Sequence, residues 1–185
     1  MSRGEHETLA RKTIFEGKVV RLYLDRVRLP SGVEAEREVV LHWGAVGMVP
    51  LDDNGNVYMV RQYRHPTGEE LVEIPAGKLT PGEDPLECAR RELMEEIGCG
   101  AVDWIKLAAF YTSPGFSDEM LHLYLARGLE EGTANPEEDE FLEIMHLPLD
   151  EALTMVDRGQ IKDSKTVAGL ALSTLYLEGK YVPNV

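Results

Sequence analysis

The chain has 185 residues, 43% of them apolar and 28% charged, and a formal net charge of −14 at pH 7. Those figures suit one globular domain with a respectable core and a small extension, and the acidic balance argues against a nucleic-acid or anionic-membrane partner. No apolar run approaches the roughly 20 residues of a membrane-spanning helix, and the polar opening "MSRGEHETLARK" lacks the apolar segment of a secretory signal. In chain order, the stretch from Thr13 to His42 is strand-like: "VRLYLDRVRL" partly alternates, and a Pro30-Ser31-Gly32 turn precedes "VEAEREVVLH". "GAVGMVPL" and "VYMVRQYR" flank Asp52-Asp53-Asn54-Gly55-Asn56, which predicts a β-hairpin. "LVEIPAG" then reads as a short strand entering the loop "GKLTPGEDP".

A helix is predicted over Pro85–Ile97, with Asp84 as N-cap, Pro85 at the first helical position and Gly98 as the stop. Apolar segments at 101–111 and 119–126 follow, separated by "TSPGFSDE", and the acidic "NPEEDE" leads into a strand, "FLEIMHL". The last third turns helical: "LDEALTMVDRG" ends at Gly159, and "SKTVAGLALSTLYLEG" has Ser164 as its cap and Gly179 as its stop. Strands and helices do not alternate regularly, so a mixed α/β sandwich fits better than a doubly wound sheet. Cys88 and Cys99 would stand about 16 Å apart along the central helix and its exit, beyond disulfide reach. Two small semi-buried thiols are the expectation, and with them a reducing, cytoplasmic compartment.

The chemistry concentrates on the central helix. Leu86, Ala89, Leu93 and Ile97 recur at helical spacing and bury one face. Glu92, Glu95 and Glu96 crowd the helix end, although like charges at such spacing repel by roughly 0.2–0.5 kcal/mol per pair. Two readings of the cluster stand side by side. One is a solvated acidic helix end supported by Glu87–Arg91 and Arg91–Glu95 ion pairs. The other is a hard oxygen site for Mg²⁺ or Mn²⁺, to which the loop beginning at Gly77 adds a backbone carbonyl. His6, His42, His65, His122 and His146 share no ligand spacing, so a histidine metal site is not expected.

Read as a whole, "AGKLTPGEDPLECARRELMEEIGC" resembles the signature of the Nudix hydrolases. Gly77, Glu83, Arg91, Glu92, Leu93, Glu95, Glu96 and Gly98 all fall at the positions of that motif, and Cys99 departs from its usual closing aliphatic residue. The resemblance implies an α/β/α sandwich with a mixed sheet over residues 43–185, preceded by antiparallel strands over residues 1–42. It also implies metal-dependent hydrolysis of a nucleoside diphosphate linked to another group. Glu92 and Glu96 become the principal metal ligands, Glu95 a further one, and the Ala76 carbonyl assists. Arg91 and Glu83 hold the segment together.

Beyond this segment, Pro114 in "SPGFSDE", "VRQYRHP", "EIPAG" and "EEDEFLEI" are similar to the ADP-ribose pyrophosphatase branch of the family, and "SKT" opens the last helix. By that resemblance Arg64 contacts a substrate phosphate. Glu140, with Glu138 second, supplies the general base from a mobile loop, and Glu119 is a further acid near the substrate. The N-terminal strands serve dimerisation and adenine binding, with Arg37, Trp43 and Tyr23 as candidates. Packing roles for the two aromatics, and a surface role for Glu119, stay open. The expected activity is Mg²⁺-dependent cleavage of ADP-ribose to AMP and ribose 5-phosphate by a homodimer. The alternatives are another nucleoside diphosphate sugar, such as a GDP-hexose, or a non-catalytic ADP-ribose sensor. The second conflicts with the full set of carboxylates.

Overall fold

The computed structural model describes residues 6–135 and 141–183. Its backbone divides into two compact units, one of residues 6–44 with Tyr111–Met120, the other of Ala45–Phe110 with the chain from Leu121 onward. The first unit is built on an antiparallel sheet of β1 (Glu7–Glu16), β2 (Arg21–Arg28) and β3 (Glu34–Leu41), in that order. The strand begins upstream of the expected Thr13. Nearly every β1 side chain is exposed, so no apolar alternation announces it. The backbone ladder to β2 and two ion pairs hold it instead: Arg28–Glu7 at 2.7 Å, and Arg11 on the buried Asp25 at 2.8 and 2.7 Å.

In the second unit, β4 (Ala45–Pro50) runs parallel to β9 (Met120–Glu131) and antiparallel to β7 (Ala76–Lys78), and β8 (Cys99–Tyr111) completes a sheet ordered β7-β4-β9-β8. A second sheet is ordered β10-β5-β6, from Glu143–Pro148, Asn56–Arg64 and Glu69–Glu73. Successive residues along β4 and β9 face opposite ways, as strand geometry requires. Val46, Met48, Tyr124 and Ala126 pack with Cys88, Ala89, Leu93 and Ile97 of α1 (Pro85–Ile97). Val49, Leu51, Leu123 and Leu125 pack with Ala152 of α2 (Leu149–Asp157) and Leu170 of α3 (Ser164–Leu177). Helices thus cover both faces, the predicted α/β/α arrangement. No helix among the described residues is long and apolar enough to cross a membrane.

Two local expectations are corrected. The turn at 52–56 forms, but β4 and β5 do not pair as a hairpin: each joins a different sheet, and one isolated bridge, Leu51↔Val57, remains between them. The turn signal specifies chain reversal, whereas the pairing partners come from elsewhere in the chain. The α3 cap is Asp163 rather than Ser164. Its carboxylate accepts from Thr166 N at 2.9 Å and Thr166 Oγ1 at 2.6 Å.

Asp52 organises the 52–56 turn by accepting from Asn54 N and Asn56 N at 2.8 Å and from Asn56 Nδ2 at 3.0 Å, and it meets His146 Nε2 at 3.0 Å. Burial pushes its pKa up, but the bonds from Asn56, His146 and Asn54 outweigh it and hold the value at about 2. A folded pKa below the ordinary carboxylate value means that the stabilisation is fully present above that value and is lost as pH falls through the folded one. Urea unfolding of Asp52→Ala against the parent protein should therefore show a stability gap that is constant from neutral pH to about 4 and narrows toward pH 2. A gap independent of pH over that window contradicts the assignment.

Candidate active site

The start and stop of α1 follow their local chemistry. Asp84 accepts from Leu86 N at 2.9 Å and Glu87 N at 3.2 Å, Pro85 needs no donor at the first position, and Gly98 closes the helix at φ 67°. The buried face of Cys88, Ala89, Leu93 and Ile97 turns Arg91, Glu92 and Glu95 away from the core, while Glu96 is only 3% exposed. Glu95 and Glu96 thus sit in the last turn, where the helix dipole is negative, with Glu92 one turn earlier and no basic residue in the last turn. Stability alone favours the opposite arrangement.

Arg91 is the counterweight inside the protein. Its Nε donates to Glu83 Oε1 at 3.2 Å, and its Nη1 lies 2.8 Å from Glu95 Oε2 and 2.9 Å from Glu92 Oε1. The alternative Glu87–Arg91 pair is replaced by Glu87 with Arg90 at 3.6 Å. Burial works against the Arg91 charge, but the bond to Glu83 and the Glu92 carboxylate prevail and raise its pKa. Glu83 is held below the usual carboxylate range, first by the Thr80 backbone N–H at 2.9 Å and then, against burial, by Arg91. The Cys88 thiol is pushed up to about 12 by burial and next by the Glu83 charge, so it stays neutral. Cys99 is likewise a buried free thiol.

The loop before the helix closes on these carboxylates. Ala76 N donates to Glu96 Oε2 at 3.1 Å. At Gly77 a Cβ would fall 1.9 Å from Glu92 Cδ, so only glycine lets the β7 backbone pass so close to that side chain. At the other end, Asn135 N donates to Glu95 O at 3.0 Å and Gly132 N to Gly98 O at 2.7 Å. Three carboxylates, Glu83, Glu92 and Glu95, therefore meet one guanidinium, and Glu96 accepts from the Ala76 backbone. Among the described residues no three metal-ligating side chains are already gathered on one point. Arg91 holds oxygens of Glu92 and Glu95. The donor set is all oxygen and strongly anionic, which fits a hard divalent cation and not a soft one.

Arg64, at the end of β5, forms a bidentate pair with Glu73: Nε to Oε1 at 2.8 Å and Nη2 to Oε2 at 2.7 Å. Glu73 is 1% exposed and also meets Lys165, which in turn lies 2.9 Å from Asp163. Sequence reading missed Glu73, Lys165 and Asp163 as a set. The available signal was a lone carboxylate within the apolar "LVEIP" strand.

Trp43, Tyr23, Arg37 and Glu119 lie in the first compact unit. Trp43 is 47% exposed, with the Arg21 guanidinium 4.3 Å from its ring centre. Arg11 stands similarly over Tyr23 at 4.8 Å. Arg37 Nη1 donates to the Glu36 carbonyl at 2.8 Å. Glu119 accepts from Thr112 Oγ1 and lies 3.4 Å from His42 Nδ1, which itself accepts from Gly44 N at 3.0 Å. Glu138 and Glu140 lie outside the described residues.

Residues 41–170 match the NUDIX domain, and residues 7–40 match the nucleoside diphosphate sugar hydrolase N-terminal domain. The chain is 47% identical over 178 residues to a methanol dehydrogenase activator of Bacillus methanolicus, covering 94% of each chain. It is 46% identical over 168 residues to an ADP-ribose pyrophosphatase of Bacillus subtilis (strain 168), covering 90% of this chain and 91% of that one. The fold is shared with a crystal structure of an ADP compounds hydrolase at a TM-score of 0.86 and 23% identity, over 97% and 98% of the two chains. With its glutamates, Arg91 and Gly77 assembled around α1 and the domain matched over most of its length, the chain belongs to the Nudix family.

Proposed function

We propose that this Nudix hydrolase cleaves the diphosphate of ADP-ribose, releasing AMP and ribose 5-phosphate. The observation that carries the reading is the acidic end of α1. Glu95 and Glu96 sit there against the helix dipole, with Glu92 one turn earlier beside a glycine that admits its carboxylate. A cluster so costly to the isolated helix calls for a cation. The 46% identity to an ADP-ribose pyrophosphatase supports adenine and ribose as the flanking groups.

Glu92 and Glu96, with Glu95 and the Ala76 carbonyl, would hold Mg²⁺, or Mn²⁺ in its place. Such an ion neutralises diphosphate charge, polarises a phosphoryl oxygen and lowers the pKa of water. The chain's own residues do the rest. Arg91 and Glu83 fix the helix relative to the 77–83 loop. Arg64 presents its guanidinium to a substrate phosphate, a geometry arginine meets in bidentate fashion. In the hydrolysis one P–O bond of the bridge breaks, water supplies the oxygen that replaces it, and the departing phosphate keeps the bridging oxygen.

Chromatography of products from ADP-ribose and GDP-mannose, each with Mg²⁺, tests the reading. AMP and ribose 5-phosphate from the first at a rate well above hydrolysis of the second is expected. No AMP from ADP-ribose overturns it. We also propose that the strands of residues 1–42 pair two copies. Support comes from the exposed Ile14, Phe15 and Val33 on that unit and from the match of residues 7–40 to an N-terminal domain of nucleoside diphosphate sugar hydrolases. Sedimentation velocity showing only the monomer mass would exclude the pairing.

A further inference from the structure

We propose that Glu73 and Lys165 are positioning residues that aim the Arg64 guanidinium at a substrate phosphate. The inference rests on the reading of Arg64 given above and extends it to two residues distant in sequence. Residue 64 is four positions along β5 from Val60, and Val60 stands opposite Glu73 in the β5–β6 ladder. Residues opposite one another, or an even number apart on one strand, share a face. Arg64 and Glu73 therefore lie on the face of Val60, which packs with α1 residues. The bond to Glu73 raises the Arg64 pKa against burial, and the Glu73, Asp163 and Glu96 charges add to it.

The pair uses the Nε–H and one of the two N–H groups of Arg64 Nη2, leaving the second N–H of Nη2 and those of Nη1 as the fork that can meet an oxyanion. The Arg64 side chain is 38% exposed, whereas its partner carboxylate is 1% exposed. One end of the pair is thus fixed in the protein while the other reaches solvent.

Lys165 anchors Glu73 in turn. It comes from the first turn of α3, where Asp163 both caps the helix and holds the ammonium at 2.9 Å. Thr166 closes the circuit: its Oγ1 donates to Asp163 at 2.6 Å and accepts from Ile74 N, next to Glu73, at 2.9 Å. Two cations and two carboxylates make the set neutral. Stability does not require such a set, because well-packed apolar residues replace buried ion pairs at little or no cost. A phosphate-binding arginine requires orientation, and a buried bidentate partner with its own counter-ion provides it.

The test is a double-mutant cycle in ADP-ribose hydrolysis, with Tm recorded for each protein. Arg64→Lys reads the premise and should raise KM about tenfold or more, with kcat much less affected. Lys165→Met should raise KM about fivefold with kcat within about threefold, and Lys165→Arg should restore KM to within about twofold. The double variant should have the KM of Arg64→Lys alone, because the lysine acts through the arginine. Glu73→Gln, which keeps the side-chain volume, should show the same KM signature and serves where Lys165→Met does not fold. A wild-type KM for both Lys165→Met and Glu73→Gln, whatever their Tm, overturns the inference and leaves the arginine assignment standing. So do multiplicative KM effects in the double variant. An unchanged KM in Arg64→Lys overturns the arginine assignment and this inference together, with ADP-ribose hydrolysis by the parent protein still measured independently.

Discussion

Glu96→Gln should lower kcat for ADP-ribose by roughly a hundredfold to a thousandfold and leave the protein folded. Glutamine matches glutamate in size and retains a carbonyl oxygen for the Ala76 N–H, which now donates at 3.1 Å. What disappears is one negative charge on a side chain that is 3% exposed. If that charge helps to hold a divalent ion, its loss removes part of a stabilisation worth several kcal/mol at the developing phosphoryl charge, and each ~1.4 kcal/mol is a factor of ten in rate. If the carboxylate were only structural, its loss would be read in the thermal melt, and kcat of the folded protein would stay put. Steady-state kinetics beside a thermal melt separates the two: a folded protein with a large kcat loss is expected, and unchanged kcat opposes the metal role.

Gly77→Ala should have its main effect on turnover as well, for a steric reason. The added Cβ would lie 1.9 Å from Glu92 Cδ and 2.2 Å from Oε1. Those atoms belong to the far end of a flexible side chain, so the clash is relieved by swinging the carboxylate away, with a stability cost near the ~1 kcal/mol low end of overpacking. Displacing a catalytic group by about 1 Å can cost on the order of a hundredfold in rate. Gly98→Ala is the contrast. There the new Cβ would meet the Ala134 backbone nitrogen at 2.5 Å, and the residue adopts φ +67°. Left-handed conformation costs a non-glycine residue roughly 1–2 kcal/mol, and backbone cannot swing aside. Gly98→Ala should therefore lose more stability in urea unfolding than Gly77→Ala, and Gly77→Ala should lose activity out of proportion to its stability. Wild-type turnover in Gly77→Ala would show that the Glu92 position does not matter.

The parts of this fold that were legible in the sequence are those written in local chemistry. Asp84, Pro85 and Gly98 mark α1 because capping, a missing donor and a left-handed stop each act within one turn. The α1 site motif was legible for the same reason: its residues lie on one loop and one helix. What escaped was non-local. The Asn54-Gly55 signal gave the reversal, but the parallel partnership of β4 with β9 joins strands some seventy residues apart. The first half of strand β1, before Thr13, escaped because its side chains face solvent and its stability lies in backbone bonds and ion pairs. Asp163 and Ser164 are both good caps, and only the contact with Thr166 decides between them. Lys165 and Glu73 meet only after the chain has folded. Each looks ordinary in its own segment.

On the proposed function, the carboxylates toward the end of α1 gather a divalent ion for a diphosphate. Titration of metal-stripped protein with Mn²⁺ in the presence of a non-hydrolysable ADP-ribose analogue, with free Mn²⁺ read by electron paramagnetic resonance, tests it most directly. Saturable binding that weakens about tenfold or more in Glu96→Gln and Glu92→Gln is expected, as loss of a ligand charge requires. Equal Mn²⁺ affinity in the parent protein and both variants would contradict it.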